Sequence, residues 1–135
     1  MLLATPFGLV GCGSGGGGGY TAPTVSPYSG TFAGPFNFVG TTAQFPNQTG
    51  TVLITTDSNG NVTGTAHNTT FSQDAVVSGT LDKNGSITST FVFPSATVTA
   101  TGTVSIATSG HLVGTLTESL GGNNVGQITV DLTKQ

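Results

Sequence analysis

Charge is what this chain has least of. Only 5% of its 135 residues are charged, with two lysines (Lys83 and Lys134), no arginine and five acids, against about a quarter in an ordinary globular domain. Neutralising phosphates takes several clustered Lys or Arg, so the composition argues against nucleic acid as a partner and excludes a polybasic membrane patch. Cysteine is nearly absent too: Cys12 stands alone, which rules out an intramolecular disulfide and a cysteine zinc cluster. No stretch approaches the ~20 apolar residues of a membrane-spanning helix, and no helical periodicity of useful length appears.

What the chain does have is glycine, threonine and alternation. There are 22 glycines, and threonine is the commonest residue; Thr, Val, Ile and Phe favour strands. From Tyr28 onward apolar and polar residues alternate with a period of two, as in half-buried antiparallel strands. Eight such runs are legible. Their apolar faces carry Phe32, Gly34, Phe36 and Phe38; Gly50, Val52 and Ile54; Val62, Gly64 and Ala66; Val77, Gly79 and Leu81; Ile87, Ser89, Phe91 and Phe93; Val98, Ala100, Gly102, Val104 and Ile106; Leu112, Gly114 and Leu116; and Gly126, Ile128, Val130 and Leu132. The opposite faces are mostly Thr and Ser, giving one dry and one wet face.

An internal repeat organises these runs into hairpins. Gly50–Ile54 with Gly60–Thr65 matches Gly102–Ile106 with Gly110–Thr115, and a shorter copy runs from Gly79 through Asn84-Gly85 to Ile87. Asn59-Gly60, Asn84-Gly85 and Ser109-Gly110 are expected to supply the positive φ angles of tight hairpin turns. Eight strands on short links predict an all-β, antiparallel up-and-down meander. Its edges would disappear if strand eight paired with strand one in a small closed barrel; a two-sheet sandwich is the competing arrangement. A membrane-spanning barrel fits poorly, since its interior is polar and its aromatics form girdles.

Parity then separates the two ends. The three tight hairpins share one end with the start of strand one. The looser links (Val39–Gln48, His67–Gln73, Pro94-Ser95 and Glu118–Asn124) share the other. Candidate partner-binding residues on that far end are Phe45, Asn47, His67, Asn68, Phe71, Asn123 and Asn124, because exposed aromatics among amides suit a contact surface; Phe45 and Phe71 could instead fold back as plugs. The small residues Gly50, Gly64, Gly79, Ser89, Gly102 and Gly114 read as a ring inside the barrel. They either allow tight strand coiling or line a small apolar cavity.

Catalytic chemistry finds little to work with. Asp57 and Asp82 occupy turn positions, Asp131 lies on the wet face, and Asp74 and Glu118 fall at strand ends. No two carboxylates form a convincing acid–base pair, and His67 and His111 are assigned to opposite ends without ligand companions. The inventory predicts no enzyme, no cofactor and no metal site.

The front of the chain carries a different signal. Met1–Gly11 is apolar apart from Thr5, and Leu9-Val10-Gly11-Cys12 leads into Gly13-Ser14 and the run Gly15–Gly19. The four residues 9–12 resemble the lipobox of bacterial lipoproteins, although no Lys or Arg precedes the apolar run as that family's pattern has it. The resemblance implies diacylglycerol on the Cys12 sulfur, cleavage before Cys12 and acylation of the new amino terminus; two or more acyl chains anchor stably where one does not. The expected organisation is a signal peptide over 1–11, a lipidated cysteine and flexible Gly/Pro tether over 12–27, and a barrel domain over 28–135. The resulting expectation is a monomeric, outer-membrane or surface lipoprotein of the bacterial envelope. Its non-catalytic barrel would serve a structural role or bind an unidentified protein or glycan; the alternative is a lipocalin-like carrier of a small apolar ligand.

Overall fold

The computed structural model describes residues 25–135. Cys12, the apolar segment before it and the glycine run lie outside the described residues, and with them the lipid-attachment and tether expectations. Eight strands follow in order: β1 (Gly30–Gly40), β2 (Gln48–Thr56), β3 (Asn61–Asn68), β4 (Gln73–Leu81), β5 (Ser86–Val92), β6 (Thr97–Ile106), β7 (Leu112–Leu120) and β8 (Asn123–Lys134). Each pairs antiparallel with its sequence neighbours, and β8 pairs with β1 through Phe32↔Lys134 to Gly40↔Gly126. The sheet is therefore a closed barrel rather than a sandwich, and closure leaves no strand edge open.

Period-two alternation decides which face turns inward. Phe32, Phe36 and Phe38 of β1 meet Val52 and Ile54 of β2, Leu81, Leu112, Leu116 and Leu132 in one continuous apolar core. Thr and Ser rows cover the outside, as in Thr88↔Thr101↔Thr117 and Thr103↔Thr115↔Thr129. The outer face is not uniform, since Leu53, Val76 and Val92 are exposed in one cross-strand row with Thr65; the apolar inside contrasts with the polar interior of a membrane-spanning barrel. The inward glycines lie opposite large residues, with Gly64 beside Ile54 and Val77, and Gly114 beside Val104 and Val130. A Cβ on Gly64 would meet the Leu53 carbonyl oxygen and come within 2.8 Å of the Ile54 Cα. The small residues thus mark where neighbouring backbones close in as the sheet coils. The interior void, bordered by Ser89 and otherwise by apolar side chains, is about 30 Å³.

One inward assignment needs correction: Ile106, the last residue of β6, is 41% exposed although its cross-strand partner Leu112 is buried. Phe93 packs partly against the core but lies just beyond the end of β5.

The turns also differ from the expected type. Gly60, Gly85 and Gly110 have φ of 88°, 90° and 88°, but neither Asn59 nor Asn84 has a positive φ. The Gly60 N–H donates to the Asp57 carbonyl (3.1 Å), and the Asp57 N–H to the Asn61 carbonyl (3.0 Å). This is a β-turn closed by a glycine in the left-handed region, the bulged hairpin geometry, rather than a turn needing two positive φ angles. Asp57 stabilises it: its Oδ1 accepts the Asn59 and Asn61 N–H groups and its Oδ2 the Asn61 amide, each at 2.9 Å. Those hydrogen bonds, the Asn61 side chain's first, hold the Asp57 carboxyl below its usual range. Asp82 repeats the arrangement with Asn84 and Ser86. The two-positive-φ turn occurs instead at Gly121-Gly122 (59° and 85°), joining β7 to β8 directly. The looser link expected over Glu118–Asn124 is therefore a two-residue turn, and Asn123 and Asn124 belong to β8.

The hairpin-turn end is sealed. Tyr28, just before β1, is buried, with its hydroxyl donating to the Val104 carbonyl at 3.4 Å. Ser26 N–H reaches the Ser58 carbonyl of the first turn at 3.5 Å, so the chain enters the barrel at this end. Thr56 faces inward here, 1% exposed, and its hydroxyl finds no hydrogen-bond partner. An unsatisfied buried hydroxyl costs about 1–3 kcal/mol, so Thr56→Val should raise stability by about 1 kcal/mol in urea denaturation.

Candidate functional site: the mouth at the loop end

The other end stays open. Its links are residues 41–47, 69–72, 93–96 and the 121–122 turn. Between them lies a cavity of about 180 Å³, walled by Phe38, Phe45, Phe71, Phe93, Val98, Leu120 and Val125, with Gln48, Asn68, Gln73, Ser95 and Glu118 among them. The chain contains eight phenylalanines, and four of them converge here.

Among the described residues, Glu118 is the one ionisable group lining this mouth. It continues the inward series Leu112, Gly114, Leu116, and its cross-strand neighbours are Ala100 of β6 and Gly126 of β8. One small residue on each side leaves a slot for its carboxyl. The β7–β8 register shifts immediately after it, between Glu118 and Ser119, which brings Val125 as well as Gly126 to buried positions. Bulges of this kind commonly re-aim side chains at barrel rims. No donor reaches the carboxyl among the described residues, and burial alone pushes it from 4.5 up to about 7. A carboxylate loses hydration there and gains no partner, so its charged form is disfavoured.

The amides across the mouth bond one another and the loops. Asn68 donates from Nδ2 to the Gln48 Oε1, and its Oδ1 accepts the Phe71 N–H at 3.1 Å. Gln48 Nε2 donates to the Pro46 carbonyl at 3.2 Å, and Ser95 Oγ to the Gln73 Oε1 at 3.1 Å. Asn68 is thus a buried latch between loops, not an exposed contact residue.

Of the remaining residues assigned to this end, Phe45 packs partly onto the core while Phe71 stays 51% exposed at the rim. Asn47 is exposed, and its Oδ1 accepts the Gly40 N–H at 3.3 Å. Asn124 Oδ1 accepts the Gly126 N–H at 3.0 Å, and Asn123 sits exposed at the start of β8. His67 is no loop residue: it lies on the outer face of β3, its Nδ1 2.6 Å from Asp74 Oδ1 on β4. His111 makes the same contact with Asp131 near the sealed end, also at 2.6 Å.

Thr51, His67 and Asp74 stand in one cross-strand row, the order of a hydroxyl–imidazole–carboxylate relay. The row is not assembled as one. No hydrogen bond joins Thr51 to His67 among the described residues, and Asp74 is 83% exposed, where water screens its charge. A working relay needs the nucleophile bonded to its base and an oriented carboxylate. No three His, Cys, Asp or Glu residues come together as metal ligands among the described residues.

Glu118, Leu120 and Val125 were missed as inward residues, and Tyr28 as a plug. For Glu118 the signal existed, since the period-two series of β7 runs straight through it. Comparison with family models, with curated proteins and with solved structures found no match to this chain.

Proposed function

We propose that this chain is a lipid-anchored protein of the bacterial envelope whose barrel is a non-catalytic binding module, engaging a protein or glycan through its loop end. The observation that carries the reading is the contrast between the two ends. Tyr28 closes the end at which the chain enters, while the opposite end presents an aromatic mouth around a single carboxyl. A tether attached at the closed end leaves the open end free to meet a partner. The lipobox-like residues Leu9–Cys12 and the glycine run Gly15–Gly19 supply the anchor and reach in this reading.

The carrier alternative has less support. Ligand sites for drug-sized molecules occupy roughly 300–1,000 Å³, whereas the interior void is about 30 Å³. Anything carried would have to sit at the mouth.

Cys12→Ser is expected to abolish palmitate labelling in growing cells and to move the protein from the membrane fraction to the soluble one. Unchanged membrane partitioning would overturn the anchor. The loop-end assignment has its own check: a photo-crosslinker at Phe71 should give adducts in whole cells that the same group at Asn59, on the sealed end, does not. Equal adducts from both positions would remove the distinction between the ends.

A further inference from the structure

Among the described residues the mouth holds a negative group with no counter-charge. The two lysines sit at the sealed end: Lys83 in the β4–β5 turn, and Lys134 at the end of β8, packed on Gly30. Every side chain facing Glu118 is uncharged, from Ala100 on β6 and Gly126 on β8 to the phenylalanines and the amides across the opening. His67 and Asp74, the nearest titratable groups in β3 and β4, project from the outer face instead. The amide nitrogens of Gln48 and Asn68 donate to other oxygens, and no amide donor, that of Gln73 included, bonds the Glu118 carboxyl among the described residues. Among the described residues Glu118 thus has no hydrogen-bond or charge partner, and the cavity beside it is large enough for a side-chain-sized group.

We propose that this mouth is a binding site for an alkylammonium group, its cationic head on the Glu118 carboxylate and its apolar body among the four phenylalanine rings. The chemistry selects this class over the others. An anion would meet Glu118 and no cation. A calcium or magnesium ion requires several oxygen ligands, and the mouth offers one carboxylate. A neutral apolar ligand would fill the cavity while stripping water from the carboxyl without replacing it. An ammonium ion restores the lost hydration with a charge-assisted hydrogen bond, and aromatic faces attract the same cation. The group could arrive on a free amine or on a lysine side chain of a partner.

Binding then depends on pH in a definite direction. The ammonium requires ionised Glu118, so affinity should rise roughly tenfold per pH unit below 7 and level off above it, while the amine stays charged to about pH 10. A carboxyl with the ordinary value of 4.5 would give a flat profile between pH 5.5 and 8.

The inference rests on the loop end as the working end and is independent of the anchor. It is tested on the full chain carrying Cys12→Ser, by following backbone amide shifts during titration with phenethylammonium, with the neutral 2-phenylethanol and with Nα-acetyl-lysine amide. The expected result is saturable shifts confined to the loop end with at least one of the two amines. Affinity should fall about tenfold or more in Glu118→Gln, and about threefold in Phe71→Ala, whose exposed ring is not needed for folding. Saturation by phenethylammonium alone assigns a free amine; saturation by the lysine derivative alone assigns a side chain. Equal binding of the alcohol, undiminished affinity in Glu118→Gln, or no saturation by either amine up to about 50 mM overturns the site. That failure would leave membrane anchoring untouched, and a failure of anchoring would leave this titration unchanged.

Discussion

Gly79→Ala is expected to cost the barrel about 3 kcal/mol or more, a large share of the roughly 5–15 kcal/mol that holds a domain folded. Gly79 of β4 faces inward opposite Val62 and Ser89. A Cβ there would strike the Thr88 carbonyl oxygen and come within 2.7 Å of the Ser89 Cα and 3.0 Å of the Thr88 carbonyl carbon. All three are backbone atoms of the paired strand, so no side chain can swing aside. Relief would require β4 and β5 to separate, breaking ladder hydrogen bonds. Gly110 provides the control. Its added Cβ would meet nothing within 4 Å, yet its φ is +88°, so Gly110→Ala should cost only the left-handed backbone penalty of about 1–2 kcal/mol. Urea denaturation of both variants checks the difference. Equal losses would mean that the glycine ring reflects backbone preference rather than close approach between strands.

Glu118→Gln should stabilise the protein, and only at higher pH. Burial holds the Glu118 carboxyl at about 7 against an ordinary 4.5. Below 4.5 the group is protonated in both folded and unfolded states and contributes no difference. Between 4.5 and 7 the unfolded chain releases a proton that the folded barrel retains, so stability falls as pH rises through this window. Above 7 the loss is complete, and the folded state carries a carboxylate in an apolar mouth. At 1.36 kcal/mol per pH unit the cost is about 1–3 kcal/mol, the lower values reflecting the mouth's contact with water. Gln keeps the shape without the charge. Denaturation curves of wild type and variant should coincide near pH 4 and separate by about 2 kcal/mol at pH 8, the variant being more stable. Curves that stay parallel across this range would place Glu118 in water. The same substitution is expected to weaken the proposed ammonium binding, so stability and binding would move in opposite directions, as is common when a site holds an unpaired polar group.

The barrel was legible because its rule is local. Phe32-Ala33-Gly34-Pro35-Phe36-Asn37-Phe38 alternates, and so do Gly50–Ile54 and Gly126–Leu132; in a strand, alternation alone sets which side chains meet inside. The parity of three glycine-bearing hairpins separated the two ends without any tertiary information. Their turn type was open to the same reading, since Asp57 and Asp82 precede the Asn-Gly pairs and accept the N–H groups that define the bulged turn.

The mouth was harder to read, for physical reasons. Glu118 and Asn68 occupy inward positions of β7 and β3, but a polar residue at the end of an apolar series looks like the end of the strand. Only the closed barrel shows that β7 continues to Leu120 and that Gly121-Gly122 turns it back. The Tyr28 plug depends on Val104, 76 residues away, and no local pattern announces such a contact. His67 was placed in a link and Asp74 at a strand end, and the β3–β4 register puts both on strands, side by side on the outer wall.

The central claim is that the barrel is closed at one end and open at the other around a half-buried carboxyl that has no partner among the described residues. A titration of the Glu118 side-chain carboxyl carbon by NMR, in the full chain without ligand, tests it most directly. A midpoint of about 7 is expected, and a midpoint near 4.5 would contradict it.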